Sequence, residues 1–337
     1  MLKKGKEIIM KKVLSLILVV ALGAFALIGC DSKSGSQGSS DSDTYTVGIC
    51  QFVQHEALDA ATQGFKDALV EKLGDKVTFN EQNASGEASN TTVICSELVS
   101  SNVDLILANA TPALTAASQA TDTIPIIGTS ITDYATALGI DADKWTGATG
   151  FNVTGTSDLA PLDKQADMIK ELYPDAKTVG ILYCSAEANS KFQATEITKY
   201  LEKLGLTAKE YTFVDTNDVT AVTQQAVNDN DVIFIPTDNT AASNTEAINN
   251  VAEPAGKPII TGEAGICKGC GLATLSISYY DIGYKAGEMA YDILVNGADP
   301  ATMNIEYATD LTKQYMAARA ALLGVTIPDD YEEIAED

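Results

Sequence analysis

The chain has 337 residues and carries 22 basic against 46 acidic side chains, which gives a formal net charge of −24 at pH 7. Such an acidic protein repels nucleic acid and anionic lipid headgroups, so neither is an expected partner. Arginine occurs once, at Arg319, and histidine once, at His55. Because most catalytic and metal-binding sites use one of these residue types, the composition argues against an enzyme, and no cofactor or metal is expected.

The amino-terminal segment is typical of a secretion signal. Lys11 and Lys12 precede an apolar run over residues 13–27, which is too short for a permanent membrane span of about 20 apolar residues. The sequence Leu27-Ile28-Gly29-Cys30 then matches a bacterial lipoprotein cleavage site. We therefore predict that residues 1–29 are a signal peptide; an uncleaved anchor is the alternative. Translation can start at Met1 or at Met10.

Cys30 is the predicted mature amino terminus and the predicted lipidation site. A diacylglycerol on its thiol and an acyl group on its amine supply the two chains that stable anchoring requires. Residues 31–43 contain no apolar side chain, so residues 30–43 are expected to form a flexible tether. The chain is therefore expected outside the cytoplasm, lipid-anchored to the cell membrane.

The first half of the folded part alternates strands and helices. Short apolar runs predict strands, and apolar residues at helical spacing predict helices. The predicted elements are strand 46–52, helix 56–73, strand 77–82, helix 87–101, strand 103–108, helix 112–121 and strand 124–128. Strands that alternate with helices of this length indicate right-handed crossovers and a parallel sheet.

The same pattern restarts in the second half. The predicted elements are helix 162–172, strand 178–184, helix 187–204, strand 208–214, helix 219–228, strand 232–236, helix 239–255, strand 258–261, strand 272–278, helix 279–295 and strand 304–307. The chain is thus predicted to be an α/β protein with two doubly wound parallel-sheet lobes, a hinge and an interlobe cleft. We expect lobe 1 to contain residues 44–151 plus about 279–302, and lobe 2 to contain 152–278 plus about 303–337, with hinges at 150–156 and 274–278.

Polar clusters follow seven of the predicted strands. They cover residues 51–55, 109–112, 129–133, 152–158, 185–189, 236–239 and 262–263. Any one cluster is explained as a helix cap, and we expect Asp158 to be one. Seven clusters at the carboxyl ends of parallel strands instead predict a ligand-binding cleft.

The cysteines point to no metal site. Cys50, Cys95 and Cys184 lie within apolar runs and are expected to be buried as small hydrophobic residues. Cys267 and Cys270 lie in a predicted polar turn, where they form half of a zinc site without further ligands nearby. An optional disulfide and two free thiols are the alternatives for this pair.

Several long segments resemble the ABC-transporter substrate-binding lipoproteins of the tryptophan-binding type. They are QFVQHEALDAATQGFKDAL at 51–69, NVTGTSD at 152–158, AKTVGILYCSAEANS at 176–190, PTDN at 236–239 and GLATLSISYYDIGYKAGEMA at 271–290. The resemblance covers residues 46–307. It implies the type I periplasmic-binding-protein fold and a monomeric receptor that closes on an aromatic amino acid (tryptophan, phenylalanine or tyrosine). That receptor would deliver the amino acid to an ABC permease and its ATPase.

The resemblance also implies which residues face the ligand. These are Gln51, Phe52, Thr111, Asn152, Thr154, Thr156, Ser157, Ser185, Asn189 and Asp238. A chemical argument adds to this set: the ammonium group of an amino acid that leaves water needs an anionic partner. Asp238 is the first choice for it, with Glu187 and Glu263 as alternatives.

The remaining parts of an amino-acid ligand also have candidate partners. No arginine lies near the cleft segments, so hydroxyls and backbone N–H groups at helix starts, at Thr111, Thr156, Ser157 and Ser185, are expected to hold the carboxylate. The ring is expected against Phe52 and one or more of Tyr134, Phe151 and Tyr280, each of which is otherwise a core residue. His55 is a ligand contact or a rim residue.

Two other functions stay open at this point. A ligand-sensing receptor lipoprotein coupled to signalling has the same two lobes, and so does an importer receptor for a different small polar solute. An enzyme is disfavoured because G-x-G-x-x-G, G-x-x-x-x-G-K-[ST] and G-x-S-x-G are all absent from the sequence.

Mass spectrometry of the membrane-bound protein tests the predicted processing. We expect residues 1–29 to be missing and Cys30 to carry the mass of its lipid groups. Detection of an intact segment 13–27 in the mature protein would contradict the assignment.

Overall fold

The structure is a computed structural model that describes residues 44–335. The predicted signal peptide, the lipidation site at Cys30 and most of the tether lie outside the described residues. Within the described range, no helix combines the length and the apolar character needed to cross a membrane.

The first sheet is parallel throughout, with strand order β11-β5-β4-β3-β1-β2. Its strands are β1 Tyr45–Gln51, β2 Val77–Asn83, β3 Leu105–Asn109, β4 Ile126–Ile131, β5 Val153–Ser157 and β11 Glu306–Tyr307. All five residues of β3 are buried, as expected for a strand with helices on both faces.

The second sheet has the order β13-β12-β10-β9-β8-β6-β7, and its pairs are parallel except for β10 with β12. Its strands are β6 Thr178–Cys184, β7 Thr207–Phe213, β8 Val232–Ile235, β9 Ile259–Thr261, β10 Ala273–Ser276, β12 Thr312–Tyr315 and β13 Glu332–Glu333. The predicted fold of two parallel-sheet α/β lobes is confirmed.

Helices cover the faces of both sheets. They are α1 Glu56–Leu73, α2 Ala88–Ser100, α3 Thr111–Ala120, α4 Tyr134–Leu138, α5 Leu162–Leu172, α6 Ala188–Lys203, α7 Val219–Asp229, α8 Asn239–Ala242, α9 Thr245–Ala252, α10 Ala264–Cys270, α11 Tyr279–Asn296 and α12 Ala317–Leu323. Short 3₁₀ turns lie at Gly74–Lys76, Ala142–Lys144 and Pro300–Thr302. The predicted helix 239–255 is interrupted and forms the two helices α8 and α9.

The strand pairing moves the predicted lobe boundary. Residues 152–157 were expected at the start of lobe 2, but β5 pairs with β4 in the first sheet. Strand β11, also expected in lobe 2, pairs with β5. The chain therefore first leaves the first sheet after Ser157, so the expected hinge at 150–156 is strand in its second half. Because the residues of β5, VTGTS, are mostly polar or small, the sequence did not indicate that this strand is fully buried.

Helix α11 brings the chain back to the first lobe, where it packs closely against helix α1. Glycines allow it, since a Cβ at Gly283 would lie 2.0 Å from the Ala61 carbonyl oxygen and one at Gly64 would lie 2.1 Å from the Tyr280 carbonyl oxygen. Separations this short are far inside van der Waals contact. Any larger residue at either position must push the two helices apart.

The C-x-x-C segment is a buried helix, not the predicted polar turn. Cys267 and Cys270 are both buried on α10, and the cysteines of the described residues are all free thiols. The guanidinium of Arg319 donates hydrogen bonds to the carbonyl oxygens of Cys267, Lys268, Gly269 and Gly271. This single cation satisfies the carboxyl end of α10 and stabilises its dipole.

Gly283→Ala should destabilise the fold by about 3 kcal/mol, the upper end of the usual cost of overpacking, because the added methyl meets a backbone oxygen. Val295→Ala is the matched control, since Val295 lies on the exposed side of the same helix, and it should change the free energy of unfolding by less than about 0.5 kcal/mol. Urea denaturation measures both. Equal stability of the two variants would refute the packing argument.

Candidate functional site

A small cavity, with about 20 Å³ of free space, lies between the carboxyl ends of the two sheets. Its lining comes from both lobes and from the crossings between them. The lining residues are His55, Leu58, Ser130, Thr132, Asp158, Asn189, Thr237, Asp238, Asn239, Ala242, Glu263 and Tyr279. The position agrees with the rule that open α/β sheets bind ligands beyond the carboxyl ends of their strands.

Three carboxyl groups face this cavity, those of Asp158, Asp238 and Glu263, and we call them the acidic wall. Each is at most 5% exposed. Among the described residues that line the cavity, none is a lysine or an arginine. The wall therefore concentrates acidic groups where water is largely excluded, and no described lining residue carries a positive charge to compensate them.

Asp238 and Glu263 each cap the helix that begins behind them. Asp238 accepts hydrogen bonds from the backbone N–H of Cys184 and of Ala241, both at 2.7 Å. Glu263 accepts from Gly265 N at 2.6 Å and from Ile266 N. Burial raises the pKa of Glu263 to about 7. Burial, followed by repulsion from Glu187, raises the pKa of Asp238 to about 8.

Asp158 also belongs to the wall, contrary to the expectation that it caps a helix. Helix α5 begins only at Leu162, with Pro161 at the capping position. The Asp158 carboxyl accepts hydrogen bonds from the Tyr279 hydroxyl at 2.9 Å and the Thr132 hydroxyl at 3.2 Å. Burial raises its pKa to about 6, and these two hydrogen bonds act in the opposite direction.

Glu187 was an alternative ammonium partner, but it lies behind the wall. It accepts hydrogen bonds from the backbone and side chain of Asn239, from the backbone and side chain of Thr240 and from the Asn189 amide. These five donors occupy both oxygens of the Glu187 carboxyl group. Its function in this structure is to hold the start of α8, which orients Asp238 and Asn239 toward the cavity.

Two polar atoms in the cavity lining lack a partner. The Ser130 hydroxyl in lobe 1 and the Asn189 carbonyl oxygen in lobe 2 are buried and have no hydrogen bond to any described residue. Ser130 sits at φ 56°, where the pairing of β4 with β5 shifts register. Bulges of this kind redirect side chains beside functional sites, and a left-handed serine is a strained conformation.

A third unpaired polar atom, the hydroxyl oxygen of Thr111, lies close by at the start of α3. Thr111 is buried and its hydroxyl has no partner in the structure of residues 44–335. It follows Ala110, another left-handed residue, at φ 86°, whose N–H donates to the Thr129 carbonyl beside Ser130. The ends of β3 and β4 thus bring two free hydroxyls and a helix amino terminus to one place.

Hydrogen bonds already join the lobes across the cavity. His55 Nε2 lies 3.1 Å from the Asn239 side-chain oxygen, and Gln193 donates to the Thr132 hydroxyl at 3.4 Å. Burial is the main cause that lowers the pKa of His55, so its imidazole is neutral at pH 7. His55 occupies the capping position of α1 but makes no side-chain cap, so its ring is a cavity wall.

Gln51 and Phe52, both predicted ligand contacts, do not line the cavity. The Gln51 amide donates to Asp59 at 2.6 Å and accepts from Thr62 at 2.6 Å, so it organises the loop after β1. Phe52 packs in the hydrophobic core of lobe 1. The residues that follow them, at the start of α1, reach the cavity instead.

The predicted contacts in and before β5 are occupied within the protein. Asn152 lies at the amino end of the strand and donates to the Ile124 carbonyl at 2.7 Å. Thr154 donates to Met303 O, Thr156 to Ile282 O and Ser157 to Thr132 O. These side chains fasten β5 to its neighbours, and Asp158, the next residue, reaches the cavity.

Ser185 and Tyr280 also lie outside the cavity. Ser185 is exposed and donates to the Phe213 carbonyl. Tyr280 is 40% exposed and donates to Asp67 on the outer surface. Tyr279 faces inward instead, because successive helical residues point about 100° apart and the Tyr279 side of α11 packs on the lobe.

The other two predicted ring partners have structural positions. Tyr134 is buried and donates to the Thr156 carbonyl, whereas Phe151 is exposed at the opposite end of β5. Asn189, Asp238 and Glu263 are thus the predicted contacts that line the cavity, with Thr111 close by. Sequence reasoning missed Ser130 and Asp158 as contacts, although both lie in polar strand-end clusters.

A wider hollow of about 650 Å³ lies on the outer side of the interlobe crossings, lined in part by Ser278, Asp281, Lys285, Glu306 and Asp310. These side chains are exposed. In the described residues, no group of three or more His, Cys, Asp or Glu side chains is arranged to hold a metal ion.

The chain matches the model of the ABC transporter substrate binding protein family over residues 46–336. A tyrosine-binding protein from Clostridioides difficile (strain R20291) is 37% identical over 293 residues, which are 84% of this chain and 84% of that protein. The ABC domain in complex with L-Trp from Streptococcus pneumonia is 32% identical, with a TM-score of 0.82, and the match covers 87% of this chain and 100% of that one.

A ligand-free, open structure of a substrate-binding protein with adhesive properties from Clostridium difficile provides a contrast. It is 33% identical, with a TM-score of 0.67, and the match covers 87% of this chain and all (100%) of that one. Its identity is nearly equal to that of the L-Trp complex, but its TM-score is lower. The overall structure of this chain is therefore more similar to the L-Trp complex than to the ligand-free, open structure.

Asp158→Asn should stabilise the unliganded protein at pH 7 by about 2–3 kcal/mol. The folded-state pKa is raised from 3.8 to about 6, so the carboxyl contributes most below pH 4 and that contribution is lost as the pH rises through 6. Asparagine stays neutral, and the Tyr279 and Thr132 hydroxyls can rotate to match it. Urea denaturation between pH 4 and 8 measures the difference.

Asp231→Asn is the control of opposite sign. The backbone N–H groups of Lys177 and Thr178 lower the pKa of Asp231, so its charge stabilises the fold above pH 4 and the variant should be less stable at pH 7. If Asp158→Asn were less stable than the parent at pH 7, the conclusion that the buried charge of Asp158 destabilises the unliganded protein would be wrong.

Proposed function

The chain belongs to the ABC transporter substrate-binding protein family, and from this premise we propose that it captures an aromatic amino acid between its lobes and delivers it to a membrane permease. Two relatives support the cargo class: one is named for tyrosine binding and the other holds L-Trp. The observation that carries the proposal is the interlobe cavity with its acidic wall, which suits the ammonium group of a small molecule.

The cavity in this structure has only about 20 Å³ of free space, which is room for about one water molecule. An amino acid would therefore enter when the lobes move apart, and the lobes would then close around it. A ligand ammonium placed against Asp158, Asp238 and Glu263 would relieve the repulsion among these carboxyl groups. The Asn189 carbonyl oxygen, which lacks a donor, adds an acceptor on the same side.

The ligand carboxylate would then face lobe 1, because the acidic wall repels it. The free hydroxyls of Ser130 and Thr111 are donors there, and α3 begins at Thr111 with its N–H groups. Helix amino termini attract anions through these groups and the helix dipole. The carboxylate can thus be held without an arginine.

The side chain of the ligand would lie against the apolar and aromatic part of the lining. Leu58 and Tyr279 supply this surface, and the neutral His55 ring lies beside them. Aromatic pairs prefer offset or edge-on contacts, which both rings can make. This assignment replaces the ring partners expected from the sequence.

Closure of the lobes would complete the site. The bonds from His55 to Asn239 and from Gln193 to Thr132 join the lobes beside the cavity, and they must break when the cleft opens. The crossings after Ser157 and between β10 and α11 would absorb the rotation. Opening therefore exposes the acidic wall to water, and closing around a cation covers it again.

The same proposal includes the setting of the protein. The lipid groups predicted on Cys30 would hold it outside the cell membrane as a monomer beside an ABC permease and its ATPase. We infer no enzymatic activity, because the family binds solutes for transport and the cavity residues have a consistent binding function.

Titration calorimetry with L-tyrosine, L-phenylalanine and L-tryptophan tests the function. At least one should bind the parent protein, and Asp238→Ala should weaken it at least a hundredfold, since removing one partner of a buried charge pair costs about 3–5 kcal/mol. Ser185→Ala is the matched control, because Ser185 is exposed outside the cavity, and it should bind within twofold of the parent.

Asp238→Asn serves as a second variant if the alanine variant unfolds, because its side-chain oxygen can still accept from Ala241 N. Binding of Asp238→Ala within a few-fold of the parent would contradict the ammonium assignment. Failure of all three amino acids to bind the folded parent would contradict the cargo class.

A further inference from the structure

The acidic wall contains more buried charge than its surroundings can stabilise. Asp158, Asp238 and Glu263 share one small cavity, with about 20 Å³ of free space, and no lysine or arginine is among its described lining residues. Buried carboxylates that lack a cation are costly, and carboxyl groups that share a site cannot all ionise easily. In the unliganded cavity, protonation of at least one of these carboxyl groups relieves the cost of burying their charge.

The hydrogen bonds show where ionisation is supported and where it is not. Glu187, behind the wall, accepts hydrogen bonds from five donors. Asp238 and Glu263 receive one backbone N–H at each oxygen. Asp158 accepts hydrogen bonds from two hydroxyl groups. Because a hydroxyl group can rotate, each of them can equally accept a hydrogen bond from a protonated Asp158 carboxyl.

The groups around the wall do not replace this proton with a fixed positive charge. Those that face or flank it are His55 and Glu56 beside α1, Tyr134 on α4, Cys184 on β6, Glu187 before α6, Cys267 and Lys268 on α10, and Tyr279 on α11. Lys268 lies 4.0 Å from Glu56, outside the cavity lining. His55 is neutral because burial lowers its pKa.

We propose that the unliganded cavity holds at least one proton on the acidic wall at neutral pH, and that the ammonium group of the ligand displaces it, so that capture releases a proton to solvent. The exchange balances in charge: one cation enters the cavity and one leaves. The proposal rests on the proposed function, because it takes a ligand ammonium as the displacing group.

The direction of the pH dependence follows. The wall pKa values are raised in the empty cavity, to about 6, 7 and 8 for Asp158, Glu263 and Asp238, and an ammonium ion lowers them. Below the raised values, a proton must leave before the ligand binds, so affinity should fall about tenfold per pH unit from about pH 8 to 6. Above them the affinity should level off.

Calorimetric titration of the parent protein with L-tyrosine at pH 7, in two buffers of different ionisation enthalpy, counts the protons directly. We expect release of about one proton per ligand and an affinity at pH 8 about tenfold above that at pH 7. Binding with equal enthalpy in the two buffers, or with constant affinity from pH 6 to 8, would overturn the proposal while leaving the proposed function intact.

Three variants locate the proton. Glu263→Gln should release fewer protons per ligand than the parent, because the raised pKa of Glu263, about 7, leaves that carboxyl partly protonated at pH 7 and glutamine carries no such proton. Asp299→Asn, which changes an exposed helix-capping aspartate outside the cavity, should release the same number. His55→Gln changes a cavity residue and should bind the ligand more weakly, but each bound ligand should still release the same number of protons. Loss of the release in that variant would assign the proton to the imidazole and overturn the acidic wall as its source.

If L-tyrosine does not bind, the same titration is made with L-phenylalanine and L-tryptophan. Failure of all three to bind the folded parent would remove the proposed function, and the proton exchange with it.

Discussion

The structure depends on one electrostatic constraint: three buried carboxyl groups face a single cavity, and no lysine or arginine of residues 44–335 lines it. Asp238 and Glu263 are kept there because each caps a helix, and Asp158 is held by the hydroxyls of Tyr279 and Thr132. Glu187 and its donors fix the start of α8 behind them. In the proposed mechanism, a ligand ammonium or a proton neutralises this charge when the lobes close.

Much of the fold was accessible from hydrophobic periodicity. The predicted limits of α1 and α5 agree with the structure to the residue, because regular apolar spacing and clear ends define both helices. Strand β5 was missed because Thr and Gly fill a strand that is buried by neighbouring backbone and not by large side chains. Helix α10 was missed because its stability comes from Glu263 and from Arg319, which is distant in sequence.

The candidate site was predictable only in part. Asp238 and Glu263 could be found because they directly follow buried strands, which places them at the cleft by topology alone. Ser130 required knowledge of a bulge that no local pattern indicates. The choice between Tyr279 and Tyr280 depended on how α11 sits against lobe 1, which its glycine contacts with α1 determine. Tertiary packing, and not residue type, determines which of these side chains face the cavity.

A crystal structure of the protein grown with the tightest-binding of L-tyrosine, L-phenylalanine and L-tryptophan tests the central claim most directly. The account predicts one amino acid in the cavity, with its ammonium nitrogen within hydrogen-bond distance of the acidic wall and its carboxylate toward Ser130 and Thr111. A ligand bound with its carboxylate against Asp238 and Glu263, or bound outside the cavity, would contradict it.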